Sequence, residues 1–157
     1  MTKESKQEYT LRISQANKTQ MVVIIYEMLL DYLDECKENL NKDDDKAFHE
    51  SIRKATGCIR ELSASVNPSF PAAGNILGLN NYCNKELAMA DLHKDPEKIE
   101  GVRKIMKKLC DAYKESCKND DSAPVMNNSQ SVYAGLTYGK ESLIVNLNDT
   151  GNRGFTI

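Results

Sequence analysis

Tryptophan is absent from this 157-residue chain and aromatic residues make up only 6% of it, which leaves no stacking platform for sugars or bases. No apolar run approaches the roughly eighteen residues needed to span a bilayer. The opening MTKESKQEY is polar and lacks the hydrophobic core of a secretory signal. The expectation is therefore a protein made and kept in the cytoplasm, without direct membrane insertion. A net charge of −2 gives little to hold a phosphate backbone, so no nucleic-acid partner is expected.

Histidine is scarce too. His49 and His93 are the only two, and neither has a Glu three residues before it, so the Glu-x-x-His pairs of a di-iron bundle are missing. Both lie next to predicted helix ends and read as solvated. GxGxxG, GxxxxGK[ST] and HExxH are also missing. The carboxylates sit in charged faces beside lysines, which suits solubility better than acid–base work. The reading is no enzyme, no catalytic residue, no metal and no cofactor. Five cysteines (36, 58, 83, 110, 117) are an odd number without CxxC spacing, which fits neither a disulfide framework nor a zinc site. The first four fall on apolar helical faces and read as core thiols.

What the chain does have is 40% hydrophobic and 28% charged residues, a globular composition of one-domain length. NKTQMVVIIYEMLLDYLDECKENL, residues 17–40, predicts a long first helix with Asn17 or Thr19 as its cap. Val22, Leu29, Leu33, Cys36 and Leu40 line one face. Met21, Ile24, Ile25, Met28 and Tyr32 line a second. With Tyr26 and Leu30, the apolar arc reaches roughly 240°, twice what a surface helix needs. The second face is covered by the chain's own elements or kept for someone else's amphipathic segment.

A second helix is predicted from about Asp45 to Val66, with Phe48, Ile52, Ala55, Ile59, Leu62 and Val66 at alternating steps of four and three. Gly57 sits inside it at a cost of about 1 kcal/mol, unless a close helix crossing uses the missing side chain. NPSFPAAG breaks the pattern. A third helix follows, its main stripe read as Ile76, Leu79, Cys83, Leu87 and Ala90, with Tyr82 and Met89 to one side. Asp95 then caps a fourth helix opened by Pro96. In it the cluster VRKIMKK, with Arg103, Lys104, Lys107 and Lys108, shares the helix with Glu97, Glu100, Asp111 and Glu115 and reads as a solvated mixed face. Short connections between helices of similar length predict an all-α, antiparallel up-and-down four-helix bundle over residues 1–118. Residues 119–157 read as an irregular C-terminal extension, first linker-like, then apolar and glycine-containing.

The residues also resemble a family. ISQANKTQMVVIIYEM is similar to the N-terminal pattern of the flagellin-export chaperones, the FliS family, with Ile13, Ala16, Met21 and Tyr26 on matching positions. IRKATGCIREL matches the second-helix pattern through Lys54, Ala55, Ile59, Glu61 and Leu62. NILGLNNYCNKELAMAD and KDPEKIEGVRKIMKKLCDAY match the third and fourth without a gap. Lys18 stands where the family has Pro, Met28 where it has Gly, Asn80 where it has Tyr, Asp91 where it has Asn, and Tyr113 where it has Trp. The match ends at about Lys118.

The resemblance implies a cytoplasmic chaperone that binds the disordered C-terminal segment of flagellin, prevents early polymerisation and helps deliver it to the type III export gate. An export-gate membrane protein is a second candidate partner, and homodimerisation is left open. The alternative is a helical adaptor for another flagellar regulator or export component. The expected groove floor is Met21, Ile24, Ile25 and Met28 on the first helix, with Tyr82 and Met89 offered from the third. Tyr9, Leu11 and Ile13 are the expected cap segment, Tyr9 being the nearest match to the family's N-terminal Tyr. Tyr133, Leu136 and Tyr138 in the extension are expected to compete for the same groove.

Overall fold

The structure, a computed structural model, describes residues 1–126. Among these it is all-helical: α1 (Lys3–Gln15), α2 (Lys18–Asn41), α3 (Asp45–Ser65), α4 (Ala73–His93) and α5 (Pro96–Cys117). Tyr133, Leu136 and Tyr138 lie outside the described residues. The chain divides into two compact units. Among the described residues, one comprises Met1 and Lys18–Ser122, the other Thr2–Asn17 with Ala123–Met126.

In the first unit, the starts of α3 and α5 and the end of α4 are set by local chemistry. Asp43 turns the chain with a left-handed φ of 52°, and Asp44 Oδ1 then accepts the Ala47 N–H at 3.0 Å to cap α3. α4 ends as Lys94 takes the left-handed conformation. Asp95 Oδ1 caps α5 by accepting the Glu97 N–H at 2.9 Å, with Pro96 in the first turn where its missing N–H costs nothing.

The four helices meet in chain order. α2 packs on α3 and α5, α3 on α4, and α4 on α5, while the backbones of α2 and α4, and of α3 and α5, do not approach. Polar pairs mark the register. Asp34 binds Arg103 in two-pronged fashion at 2.7 and 3.0 Å, Lys37 binds Glu100 at 2.7 Å and Lys114 binds Glu27 at 3.0 Å. Numbers rise along α2 as they fall along α5. α3 and α4 do the same, through Ser63 with Asn80 and His49 with Asp91. Inside the ring, Tyr26, Leu29, Leu33, Phe48, Ile59, Leu62, Leu87, Ile99, Val102 and Met106 are all but fully buried. Each such side chain contributes about 1.5–3 kcal/mol on leaving water. Cys36, Cys58, Cys83 and Cys110 are buried among them as free thiols.

One reading of this unit needs correcting. The α4 core stripe is Ala73, Asn80, Cys83, Leu87 and Ala90, whereas Leu79 is exposed. Positions 79 and 80 both keep helical spacing with Cys83. Asn80 is the one turned inward because Ser63 Oγ receives its side-chain amide at 3.0 Å. The cost expected for Gly57 has no offsetting close crossing, since a Cβ built there meets nothing within 4 Å.

The second unit contains α1, a helix where only a cap segment was expected. Its apolar residues Tyr9, Leu11 and Ile13 are spaced by two, the strand period, which hides the helix from a periodicity reading. Its ends carry it instead. Thr2 Oγ1 accepts the Ser5 N–H at 3.1 Å, Glu4 lies in the first turn and Arg12 in the last, matching the helix dipole. After it, the Ala16 carbonyl accepts the Val125 N–H at 3.0 Å.

Candidate partner-binding surfaces

α2 has more apolar surface than the core uses. Leu29, Leu33 and Cys36 face inward with Val22 and Tyr26, all buried in the core. Of the expected groove floor, Ile25 and Met28 are half-buried and pack partly against that core. Met21 is half-buried and stands outside it. Ile24 points about 180° away from Leu33, opposite the core-facing stripe, yet is only 3% exposed.

α4 is apolar around most of its circumference. Cys83, Leu87 and Ala90 serve the core, while Leu77, Leu79, Tyr82, Met89 and Leu92 are exposed. Those five are the majority of the exposed large apolar side chains among the described residues. Phe70, held between Pro68 and Pro71 in the connection before α4, adds another at 61% exposure. Tyr82 and Met89 are thus open, as a binding role needs, but they lie on a helix that does not adjoin α2. The six expected groove residues form two separate surfaces. Leu77, Leu79, Leu92 and Phe70 were not singled out from the sequence, although an aromatic between two prolines was a usable signal.

The unit is open at two places, one at an end of the helices and one between α4 and α5. A cavity of about 560 Å³ lies where α2 and α4 begin and α3 and α5 end, lined by Val22, Val66, Phe70, Ile76, Leu109 and Tyr113, with Lys18 and Thr19 at its edge. A smaller one, about 280 Å³, is lined by Tyr82, Glu86, Lys98, Gly101 and Ile105, with Asp95 and Glu97. Lys98 and Glu86 pair across it at 2.8 Å. Tyr113 reaches from the larger cavity to Tyr26, ring centroids 5.5 Å apart. On α1 the expected cap residues Tyr9, Leu11 and Ile13 are half-buried, and the Arg12 guanidinium lies 5.6 Å over the Tyr9 ring.

These surfaces offer apolar contact rather than reactive groups. Burial pushes the Cys36 thiol up to about 12 and those of Cys58 and Cys83 up to about 11, so none is a thiolate nucleophile near neutrality. His49 Nδ1 sits 2.8 Å from Asp91 on the surface. Among the described residues, no group of His, Cys, Asp or Glu is arranged to hold a metal ion, and no helix is long and apolar enough to cross a membrane.

No curated protein matches the chain. The family model described as Flagellar protein FliS matches residues 1–120, the stretch that holds α1 to α5 and both cavities. The chain therefore belongs to the FliS family, flagellar export chaperones rather than enzymes.

Proposed function

We propose that this chain binds the disordered C-terminal segment of flagellin in the cytoplasm, prevents its premature polymerisation and assists its delivery to the type III export gate. The observation that carries the reading is the apolar outer face of α4, with Tyr82 and Met89 open to a partner in a member of this family. A folded monomer seldom leaves so many large apolar side chains together on one helix without a binding role.

Residues 1–118 act as the chaperone domain, an antiparallel up-and-down four-helix bundle formed by α2 to α5, with 119–157 as its extension. Because α2 and α4 are not neighbours, a client touching both Met21–Met28 and Tyr82–Met89 passes around the bundle as an extended chain with separate anchors. A disordered segment suits that path, since it can wrap a large surface and folds only on contact. Met21, Met28 and Met89 give flexible, polarizable contacts that repack around a client. The N-terminal segment with Tyr9, Leu11 and Ile13 acts as a removable cap that gives way when flagellin arrives.

Co-purification with flagellin tests the reading. The full chain forms a complex with intact flagellin and none with flagellin lacking its C-terminal segment. A complex that survives the truncation contradicts it, and favours an adaptor with a different partner site.

A further inference from the structure

α4 is held unevenly along its length. Its second half is fixed by Glu86 to Lys98 at 2.8 Å, by Asp91 to His49 at 2.8 Å, and by Leu87 and Ala90 in the core. From Ala73 to Asn84 the sequence has no charged side chain, so no ion pair ties the first half down. The residues this half buries are Ala73, Asn80 and Cys83, all small or polar. Its large apolar side chains stay out of the core: Ile76 is half-buried, and Leu77, Leu79 and Tyr82 are exposed. Among the described residues, its one side-chain hydrogen bond is that of Asn80 to Ser63.

Further features weaken the same stretch. Thr2, Asp44 and Asp95 cap α1, α3 and α5 with a side-chain oxygen, whereas Ala72 offers α4 none. Gly74 and Gly78 lie in the first two turns, where a Cβ would meet nothing within 4 Å. Their backbone entropy opposes the helix with no packing gain in return. Asn80 Oδ1 is buried and accepts no hydrogen bond from the protein, so it regains solvation when it leaves the core. At the first turn, Ala72 and Ile76 line the larger cavity together with Val66, Leu109 and Tyr113, which leaves that turn short of packing partners.

We propose that residues 73–81 form a gate. They unwind and re-form as one unit, while α2, α3, α5 and the part of α4 from Cys83 onward stay folded. Opening bares the wall of the larger cavity. The use of the gate rests on the flagellin reading above: the open form admits an apolar side chain of the client to Val66, Leu109 and Tyr113. Elements that take up a partner are drawn from the least stable parts of a fold, and this stretch is the one that caps, charges and core side chains all leave unsupported.

Native-state hydrogen exchange on the free full chain tests the gate. The amides of Leu79–Asn81 lie beyond the fraying of a first turn, and they exchange at least about tenfold faster than those of Leu87–Ala90. Gly74→Ala with Gly78→Ala slows them about tenfold, because the opened stretch has less entropy to gain. Ser63→Ala, which removes the tie to Asn80, speeds them about tenfold, and circular dichroism checks that its helices remain. Gly57→Ala lies in α3, outside the gate; it slows the α2 amides of Leu29–Cys36, which exchange by global unfolding, and leaves Leu79–Asn81 unchanged. Equal exchange in the two halves of α4, or Leu79–Asn81 amides that follow Gly57→Ala and ignore the α4 glycines, overturns the gate.

Association kinetics test its use. A peptide covering the C-terminal region of its organism's flagellin associates about tenfold faster with Ser63→Ala than with the unaltered chain, in step with the larger open population. An unchanged association rate in a variant whose exchange has quickened overturns client entry through the gate and leaves the flagellin reading standing. A chain that binds no flagellin peptide removes that reading and the entry route with it, while exchange in the free chain still decides the gate.

Discussion

Asn80 of α4 donates its side-chain amide to Ser63 Oγ of α3 at 3.0 Å, and Ser63 passes the bond on to the Ile59 carbonyl at 2.9 Å. Asn39 of α2 treats Ser51 in the same way, at 2.8 Å, with Ser51 donating to the Ala47 carbonyl. α3 is thus tied to both neighbours by an Asn–Ser relay set among apolar contacts. Asn80 is 1% exposed, and its Oδ1 accepts no hydrogen bond from the protein. Ser63→Ala strands the Asn80 amide as well and should cost about 1–3 kcal/mol. Asn80→Leu removes both buried polar atoms together and should be neutral or stabilising by about 1 kcal/mol. Urea denaturation of the two variants checks the order, and an Asn80→Leu protein less stable than Ser63→Ala contradicts it.

Gly57 lies in the interior of α3 with open space where a Cβ would stand. Nothing in the packing needs its small size, so its backbone entropy is a plain cost. Gly57→Ala should raise unfolding stability by about 0.5–1 kcal/mol, read as a higher denaturation midpoint with an unchanged slope. A loss of stability means that α3 uses the glycine for a distortion not seen here.

Buried thiols make stability depend on alkaline pH. Burial raises Cys36 to about 12 and Cys58 and Cys83 to about 11, from an ordinary value of 9.0. A raised native pKa means that the unfolded chain loses its protons first as pH rises. Stability is therefore full below pH 9 and falls through the window from 9 to about 12, by up to about 1.4 kcal/mol per pH unit for each group. Chemical denaturation at pH 8, 9 and 10 reads the effect, and Cys36→Ala, although destabilising in itself, should flatten the alkaline slope. In the native state only half-buried Cys117 should react with a thiol reagent at a measurable rate.

How much of this was legible in the sequence depends on the element. α3 and α5 announce themselves, because alternating steps of four and three coincide with the acidic caps Asp44 and Asp95. α1 does not, since Tyr9, Leu11 and Ile13 carry a strand-like spacing and its helix is made by its ends. α4 was found with Cys83, Leu87 and Ala90 in its stripe but with Leu79 in the place of Asn80: hydropathy prefers Leu79 for the core, and only a partner on another helix, Ser63, makes Asn80 the better choice. The excess apolar face of α2 and the open Tyr82 and Met89 could be read from helical periodicity. That they belong to non-adjacent helices follows only once the four helices close into an up-and-down ring, which sets the first and third across from each other; periodicity within one helix does not carry it.

Tyr82 and Met89 are exposed and make no part of the core, so they separate binding from folding. Tyr82→Asp with Met89→Asp should leave stability within about 0.5 kcal/mol while weakening the flagellin segment at least about tenfold, a loss of about 1.4 kcal/mol. A thermal melt and a titration on the same sample report both. Equal losses in the two would mean that these side chains support the fold instead.

The most direct measurement is calorimetric titration of the full chain, at several temperatures, with a peptide covering the C-terminal segment of its organism's flagellin. Binding with a large negative heat-capacity change is the result predicted, since a disordered client should fold as it buries apolar surface on α2 and α4. A flat titration, repeated with residues 1–118 to remove the extension and still flat, would contradict the account at its centre.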